Sequence, residues 1–420
     1  MSIQLVNNKQ IQPDVLILKE DANINGQTID SQIFPNEGSG AFGYGWASAT
    51  REMSFNIGSA NCALQTADTC LEFDLTMGTT TAKIHGSVDA LINRVRLLTN
   101  TGTCLLDQQA SNVLSSIYQV ATYSDAYKKA NWHENLDSLC VADTASTSFT
   151  TSASHFIMRF KEAFWLQVRT LPLPIIGNLR LVLTMESDVV AFDVNAGLSG
   201  ANYYKITNPV LHVKLVPLTQ NYLDKLRVIA ERGSLVYNFS TTYQISAPTN
   251  SATNISVAVN FGMKSCRQVI AVFRVVADLT SLNDSSLHKF QYPFDATYHS
   301  VQIRHGNINY PYNALVNAEQ IYHQTMKCMK LYNDLDSGNQ ISHLRWSALD
   351  NSSTDQGSTG PLHVIAIPLD HDGMNTGVST SDGGILFNAN IVAAAYQVDL
   401  FCVYDVVLIV KDSKTCILDY

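Results

Sequence analysis

One stretch near the middle of the chain constrains the rest. Residues 203–239, YYKITNPVLHVKLVPLTQNYLDKLRVIAERGSLVYNF, predict a strand, a short helix and a new strand. Leu211, Val213 and Leu215 alternate with His212, Lys214 and Val216, the period-2 pattern of a half-buried strand. Pro217 ends that strand because it has no N–H to give a ladder. Thr219 is placed to cap a helix whose apolar face is Tyr222, Leu223, Leu226, Ile229 and Ala230. Gly233 stands where a left-handed C-cap belongs, and Leu235, Tyr237 and Phe239 restart the alternation. The sequence before this helix carries the same pattern of elements as the sequence after it.

In the first half, alternation marks strands at Met53–Phe55–Ile57 and at Leu71–Phe73–Leu75, and more continuous apolar runs follow in ALINRVRLLT and TCLLDQ. Residues 111–128 change period, with Val113, Leu114, Ile117, Tyr118 and Ala121 on one helical face. A Ser/Thr-rich loop over about 140–153 leads to strands at 155–160, 164–168, 179–185 and 210–216. The second half repeats the order. Strands are expected at 235–239, 255–261, 267–276 and 298–306, then a helix over 314–331, a polar stretch at 333–360, and strands at 362–367, 385–392 and 396–412. About eight short strands per half with one inserted helix predict a jelly roll, so the expected fold is all-β: two tandem eight-stranded jelly rolls joined by a short helical linker. The expected boundaries are an extended N-terminal arm at 1–49, a first jelly roll at 50–218, the linker at 219–233 and a second jelly roll at 234–420.

The arm holds one short apolar segment, Val15–Leu16–Ile17–Leu18, and then GSGAFGYGWAS. There Gly38, Gly40, Gly43 and Gly45 interleave with Phe42, Tyr44 and Trp46. A phosphate-binding glycine loop follows a strand and opens a helix. This stretch lacks that context and fits an adaptable segment whose aromatics dock on another surface.

Charge and cysteine usage narrow the function classes. The net charge is −9 over 420 residues, and Lys and Arg are scattered rather than gathered into a stripe for phosphates, so no direct sequence-specific nucleic-acid binding is expected. The eight cysteines form no CxxC pair and several lie in apolar runs, as expected of buried free thiols in a reducing compartment. The N-terminus lacks the pattern of a signal peptide, and no run approaches the roughly 20 apolar residues of a membrane span, so no transmembrane segment is expected.

Chemistry-bearing patterns are sparse. There is no H-x-H pair of the cupin type; His299 and His305 lie six apart on an expected strand, about 20 Å along it, too far to share an ion. Asp370-His371-Asp372-Gly373, followed by Asp382-Gly383-Gly384, is the densest polar constellation; oxygen ligands beside glycine would suit calcium, but the spacing does not match an EF-hand and favours a turn. Glu72 and Asp74 occupy the outward face of one strand. No nucleophile elbow, Walker loop or Cys–His arrangement is present. No catalytic, cofactor-binding or metal residue is assigned, and no enzyme activity is expected.

With the duplication in view, residues 50–420 resemble the double jelly-roll major capsid proteins of the adenovirus–tectivirus lineage, of the polinton-like virus or virophage type. The resemblance rests on the tandem pattern, on the NPVLHVKLVPLTQNYLDKL junction, on SCRQVIAVFRVV and on NYPYNALVNAEQIYHQ. It implies a homotrimer of pseudo-hexagonal outline that tiles an icosahedral shell beside neighbouring capsomers, penton and minor capsid proteins. It implies a virion location after synthesis in the host cytosol, and an arm that faces the particle interior or bridges neighbours. The loops at 130–153, 333–360 and 369–384 would form towers or trimer contacts, modest ones, because at 420 residues the chain is shorter than many eukaryotic relatives. Two other classes compete. A carbohydrate- or receptor-binding β-sandwich would use Tyr203 and Tyr204, or Trp132 and His133, as an aromatic platform. A cupin-like enzyme would need converging histidines and carboxylates.

Overall fold

The computed structural model describes residues 28–36, 40–44, 49–77, 82–84, 86–123, 125–136, 153–194, 204–232, 235–277, 279, 290–295, 299–329, 363–369, 377–381, 383–411 and 415–419. Two main sheets form in each half, and in the first half Ala82–Lys83 and Asp193–Val194 make a separate two-stranded one. In the first half Tyr204–Pro217 lies between Cys62–Met77 and the short strands Ile29–Ile33 and Ala41–Tyr44, and Ser154–Arg159 flanks Cys62–Met77 on its far side. The facing sheet runs Glu52–Ile57, Leu179–Met185, Ile92–Thr99, Cys104–Gln108. In the second half one sheet runs Leu235–Pro248, Tyr396–Lys411, Cys266–Val275, Val364–Pro368, with Thr415–Asp419 also paired to Tyr396–Lys411. The other runs Asn254–Val259, Ile385–Asn390, Ser300–His305, Ile308–Leu315.

Counted along each half, the strands pair as 1-8-3-6 in one sheet and 2-7-4-5 in the other, and both halves follow that order. This is the jelly-roll order, with all the strand pairs antiparallel. Inward residues such as Leu71, Phe73 and Leu75 are buried while Glu72 and Asp74 between them are not, as alternation demands. The NP step of the junction motif has a structural cause. Asn208 takes a left-handed conformation (φ 52°), and the register of Tyr204–Pro217 against Cys62–Met77 shifts between Thr207 and Val210. Pro209 therefore sits in the bulge, where no ladder N–H is needed.

The linker helix, Gln220–Glu231, starts where expected: the Thr219 hydroxyl accepts from the Tyr222 N–H at 3.4 Å. Tyr222, Leu223, Leu226 and Ala230 are buried and Ile229 packs beside them. Gly233 lies outside the described residues. The helix inserted in the first half is Ser111–Ala121, followed by a separate turn of helix at Asp125–Ala130.

Several elements depart from expectation. Ile29–Ile33 and Ala41–Tyr44 fall in the stretch expected to be an arm, yet both hydrogen-bond to Tyr204–Pro217 and together occupy the first-strand position of the first jelly roll. Phe42 is buried in the core, and a Cβ on Gly43 would collide with the Tyr204 carbonyl. The glycine allows a close approach between strands, which explains its place among aromatics.

Residues 164–168 form a helix, Ala163–Gln167, rather than a strand. Phe164, Trp165 and Val168 are buried while Leu166 is 57% exposed, a helical spacing that a short FWLQV run disguises as alternation. The strand Ile308–Leu315 was not anticipated, and the helix expected from 314 begins only at Ala318. Asn317 decides that start: its side chain accepts from the Gln320 N–H at 2.8 Å, and the Gln320 side chain accepts from the Val316 N–H at 2.9 Å. This reciprocal cap competes with earlier helix initiation. Thr415–Asp419 is a further strand beyond those expected.

Candidate functional site

The two halves meet through the helix Ala163–Gln167. Phe164 meets Phe239 edge-on at 5.1 Å between ring centres, and the Gln167 side chain accepts from the Ser240 N–H at 2.6 Å. Beside this contact lies a group of charges, mostly buried, with Arg159 at its exposed edge. Lys161 Nζ donates to Asp89 Oδ2 at 2.6 Å and lies 3.0 Å from Glu134 Oε2, while Arg159 Nε donates to Glu134 Oε1 at 2.8 Å. Burial opposes the charge on Lys161, but Asp89 and Glu134 outweigh it and hold the ammonium above its ordinary value. In the second half Arg274 pairs with fully buried Asp399 at 2.6 Å, and Asp399 also accepts from Gln397 at 3.0 Å. Such groups specify one arrangement of the elements that carry them, because a lone buried charge is expensive.

A second cluster covers the outer face of the first sheet. Glu72 and Asp74, an unremarkable pair in sequence, meet two histidines brought in by the flanking strands. His212 Nε2 lies 2.5 Å from Glu72 Oε2, and His155 Nε2 lies 3.2 Å from Glu72 Oε1. His155 Nδ1 lies 2.9 Å from Asp74 Oδ1, and Asn208 donates to Asp74 Oδ2 at 2.9 Å. Ionised carboxylates only accept, so in the hydrogen bond between His155 and Asp74 it is His155 Nδ1 that donates. The hydrogen bonds from Asn208 and then His155 hold the Asp74 carboxyl below its usual value. The cluster ties three strands together across registers that alternation alone does not reveal.

The other candidate residues stay apart. His299 stacks on Phe294 at 4.7 Å, whereas His305 ends its strand. Among the described residues no group of three or more His, Cys, Asp or Glu is placed to hold a metal ion. Asp370, His371, Asp372, Gly373 and Asp382 lie outside the described residues, as do Tyr203 and the loop at 333–360. Tyr204 is fully buried and donates its hydroxyl to the Glu186 carbonyl at 2.7 Å, so it belongs to the core and not to an aromatic platform. Trp132 is 68% exposed with His133 edge-on beside it. Sequence patterns missed a more exposed aromatic, Tyr312 at 85%, on the edge strand Ile308–Leu315 with Ile308 and Val316 also exposed nearby. The seven described cysteines are free thiols. No helix among the described residues is long and apolar enough to cross a membrane.

Two eight-stranded jelly rolls in tandem, with a helix inserted in each and another between them, make this a double jelly-roll protein. No protein-family model and no curated protein matches the sequence. Solved structures of viral capsid proteins match over nearly the whole chain. The Faustovirus major capsid protein superposes with a TM-score of 0.60 at 8% identity, covering 98% of this chain and 93% of that one. The quasi-atomic PBCV-1 virus capsid gives 0.60 at 12% identity, covering 94% and 97%. The mavirus major capsid protein gives 0.53 at 9% identity, covering 100% and 97%. The chain has the double jelly-roll fold of these proteins.

Proposed function

We propose that the protein is a major capsid protein, a structural component whose task is assembly rather than catalysis. The observation that carries this is the likeness of both jelly rolls together, over nearly the full chain, to capsid proteins of icosahedral viruses. In this reading the chain forms a homotrimer in which six jelly rolls give a pseudo-hexagonal outline. Trimers pack against neighbouring capsomers, with penton and minor capsid proteins completing a shell in the virion. The contacts of Phe164 with Phe239 and of Gln167 with Ser240 support it, because a capsomer needs two jelly rolls held as one body. An obligate trimer interface of this kind buries on the order of 2,000 Å² or more per protomer.

The proposed domains are an arm, a first jelly roll, the linker helix and a second jelly roll, with the arm shortened at its C-terminal side because residues 29–44 contribute strands to the first sheet. Buried Tyr204 weakens the reading of a carbohydrate- or receptor-binding platform. Light scattering with negative-stain imaging tests the proposal. A mass near three times 46.2 kDa with hexagonal outlines is expected. A monomer at high concentration would overturn it.

A further inference from the structure

A cavity of about 330 Å³ opens at the junction of the two halves. Its walls are mainly apolar, with Ile92, Val95, Leu106, Leu114 and Met158 from the first half and Val403 from the second. Asp89, Lys161, Glu162 and the hydroxyls of Ser111 and Ser115 line it as well. Leu166, more than half exposed, stands on its lining and marks a way in from solvent. The volume is at the lower end of the range for small-ligand pockets, about 300–1,000 Å³.

Hydrogen bonding in this cavity is incomplete. Glu162 Oε1 accepts from Ser111 at 2.9 Å, but Glu162 Oε2 is buried and has no partner. Asp89 Oδ2 accepts from Ser115 at 2.7 Å and from Lys161 at 2.6 Å, but Asp89 Oδ1 is likewise buried without a partner. Lys161 is engaged by Asp89 and Glu134, and Arg159 by Glu134, so neither cation forms an ion pair with Glu162. Two buried acceptor oxygens beside apolar walls call for a ligand with N–H donors, positive charge and a short hydrocarbon body.

We infer that this cavity is a binding site for a small primary alkylamine, its ammonium donating to Glu162 Oε2 and Asp89 Oδ1 and its chain lying along the apolar wall. A quaternary ammonium has the charge but no donor, and a fatty carboxylate brings the wrong charge. Burial pushes the Glu162 carboxyl above its ordinary value, and an ammonium beside it favours the ionised form. Affinity therefore rises with pH through the Glu162 titration and falls below it. The cavity belongs to the fold whatever the chain assembles into.

The test is calorimetric titration of the full chain with octylamine, octyltrimethylammonium and octanoate. One octylamine per chain is expected, at least tenfold tighter than either control. Glu162→Gln keeps the shape but not the charge and should weaken octylamine at least tenfold. Leu114→Trp, which fills the apolar wall, should do the same without touching the carboxylates. Circular dichroism checks that both variants fold. Equal affinity for octylamine and octyltrimethylammonium, or an unchanged affinity in Glu162→Gln, would identify detergent-like adsorption and overturn the site; so would the absence of binding.

Discussion

Lys161 shows how one residue can set the cost of an arrangement. Its ammonium answers two buried carboxylates, so Lys161→Met strands Asp89 without a cation and leaves Glu134 to Arg159 alone. Removing one partner of a buried pair costs about 3–5 kcal/mol. Urea unfolding of the purified protein should show a loss of that size, far above what an exposed pair such as Arg227–Asp224 would give. Asp74 makes a pH-dependent prediction. Its folded carboxyl titrates below the usual value of about 3.9, so its contribution is present above that value and is lost as pH falls through the lower folded one. Asp74→Asn should lower the Tm at pH 6, and the gap to wild type should close as pH drops below about 4. A gap that is constant with pH would mean that Asp74 acts through shape alone.

At the scale of elements, Ala163–Gln167 is the most informative case, because helix and strand predict opposite mutational patterns there. A strand would bury Phe164, Leu166 and Val168 on one face. The helix buries Phe164, Trp165 and Val168 and leaves Leu166 exposed. Phe164→Ala should cost about 3–5 kcal/mol, and Leu166→Ala should stay within about 0.5 kcal/mol of wild type. Chemical denaturation of the two variants decides between the two conformations. The linker helix is the contrasting case, since its cap and its apolar face were both legible in the sequence. Twelve residues with one strong period leave little room for another conformation.

At the scale of the molecule, the first sheet borrows strands from the N-terminal region, and this changes what a truncation tests. Deleting residues 1–27 spares Ile29–Ile33 and Ala41–Tyr44, so trimers should form while shell assembly falls. Deleting residues 1–45 also bares one edge of Tyr204–Pro217 and removes buried Phe42, so the soluble yield and Tm should fall as well. Size-exclusion chromatography with light scattering, followed by electron microscopy of assembly reactions, separates the two effects. Normal shells from the shorter deletion would show that residues 1–27 have no part in assembly.

The duplicated order of strands, the linker helix and the exposed or buried sense of most strand positions were determined by the sequence alone, because each depends on a period written within a few neighbouring residues. Tertiary structure decided the remainder. Glu72 meets His155 and His212 only because their strands lie on either side of Cys62–Met77, and no local pattern encodes that adjacency. The short runs at 29–44 and 164–168 had too few residues for a period to distinguish strand from arm or helix. Pairing with Tyr204–Pro217 in one case, and packing against Phe239 in the other, settled them. Local periodicity carries the hydrophobic sidedness of an element, whereas the partner that completes its hydrogen bonds comes from a distant part of the chain.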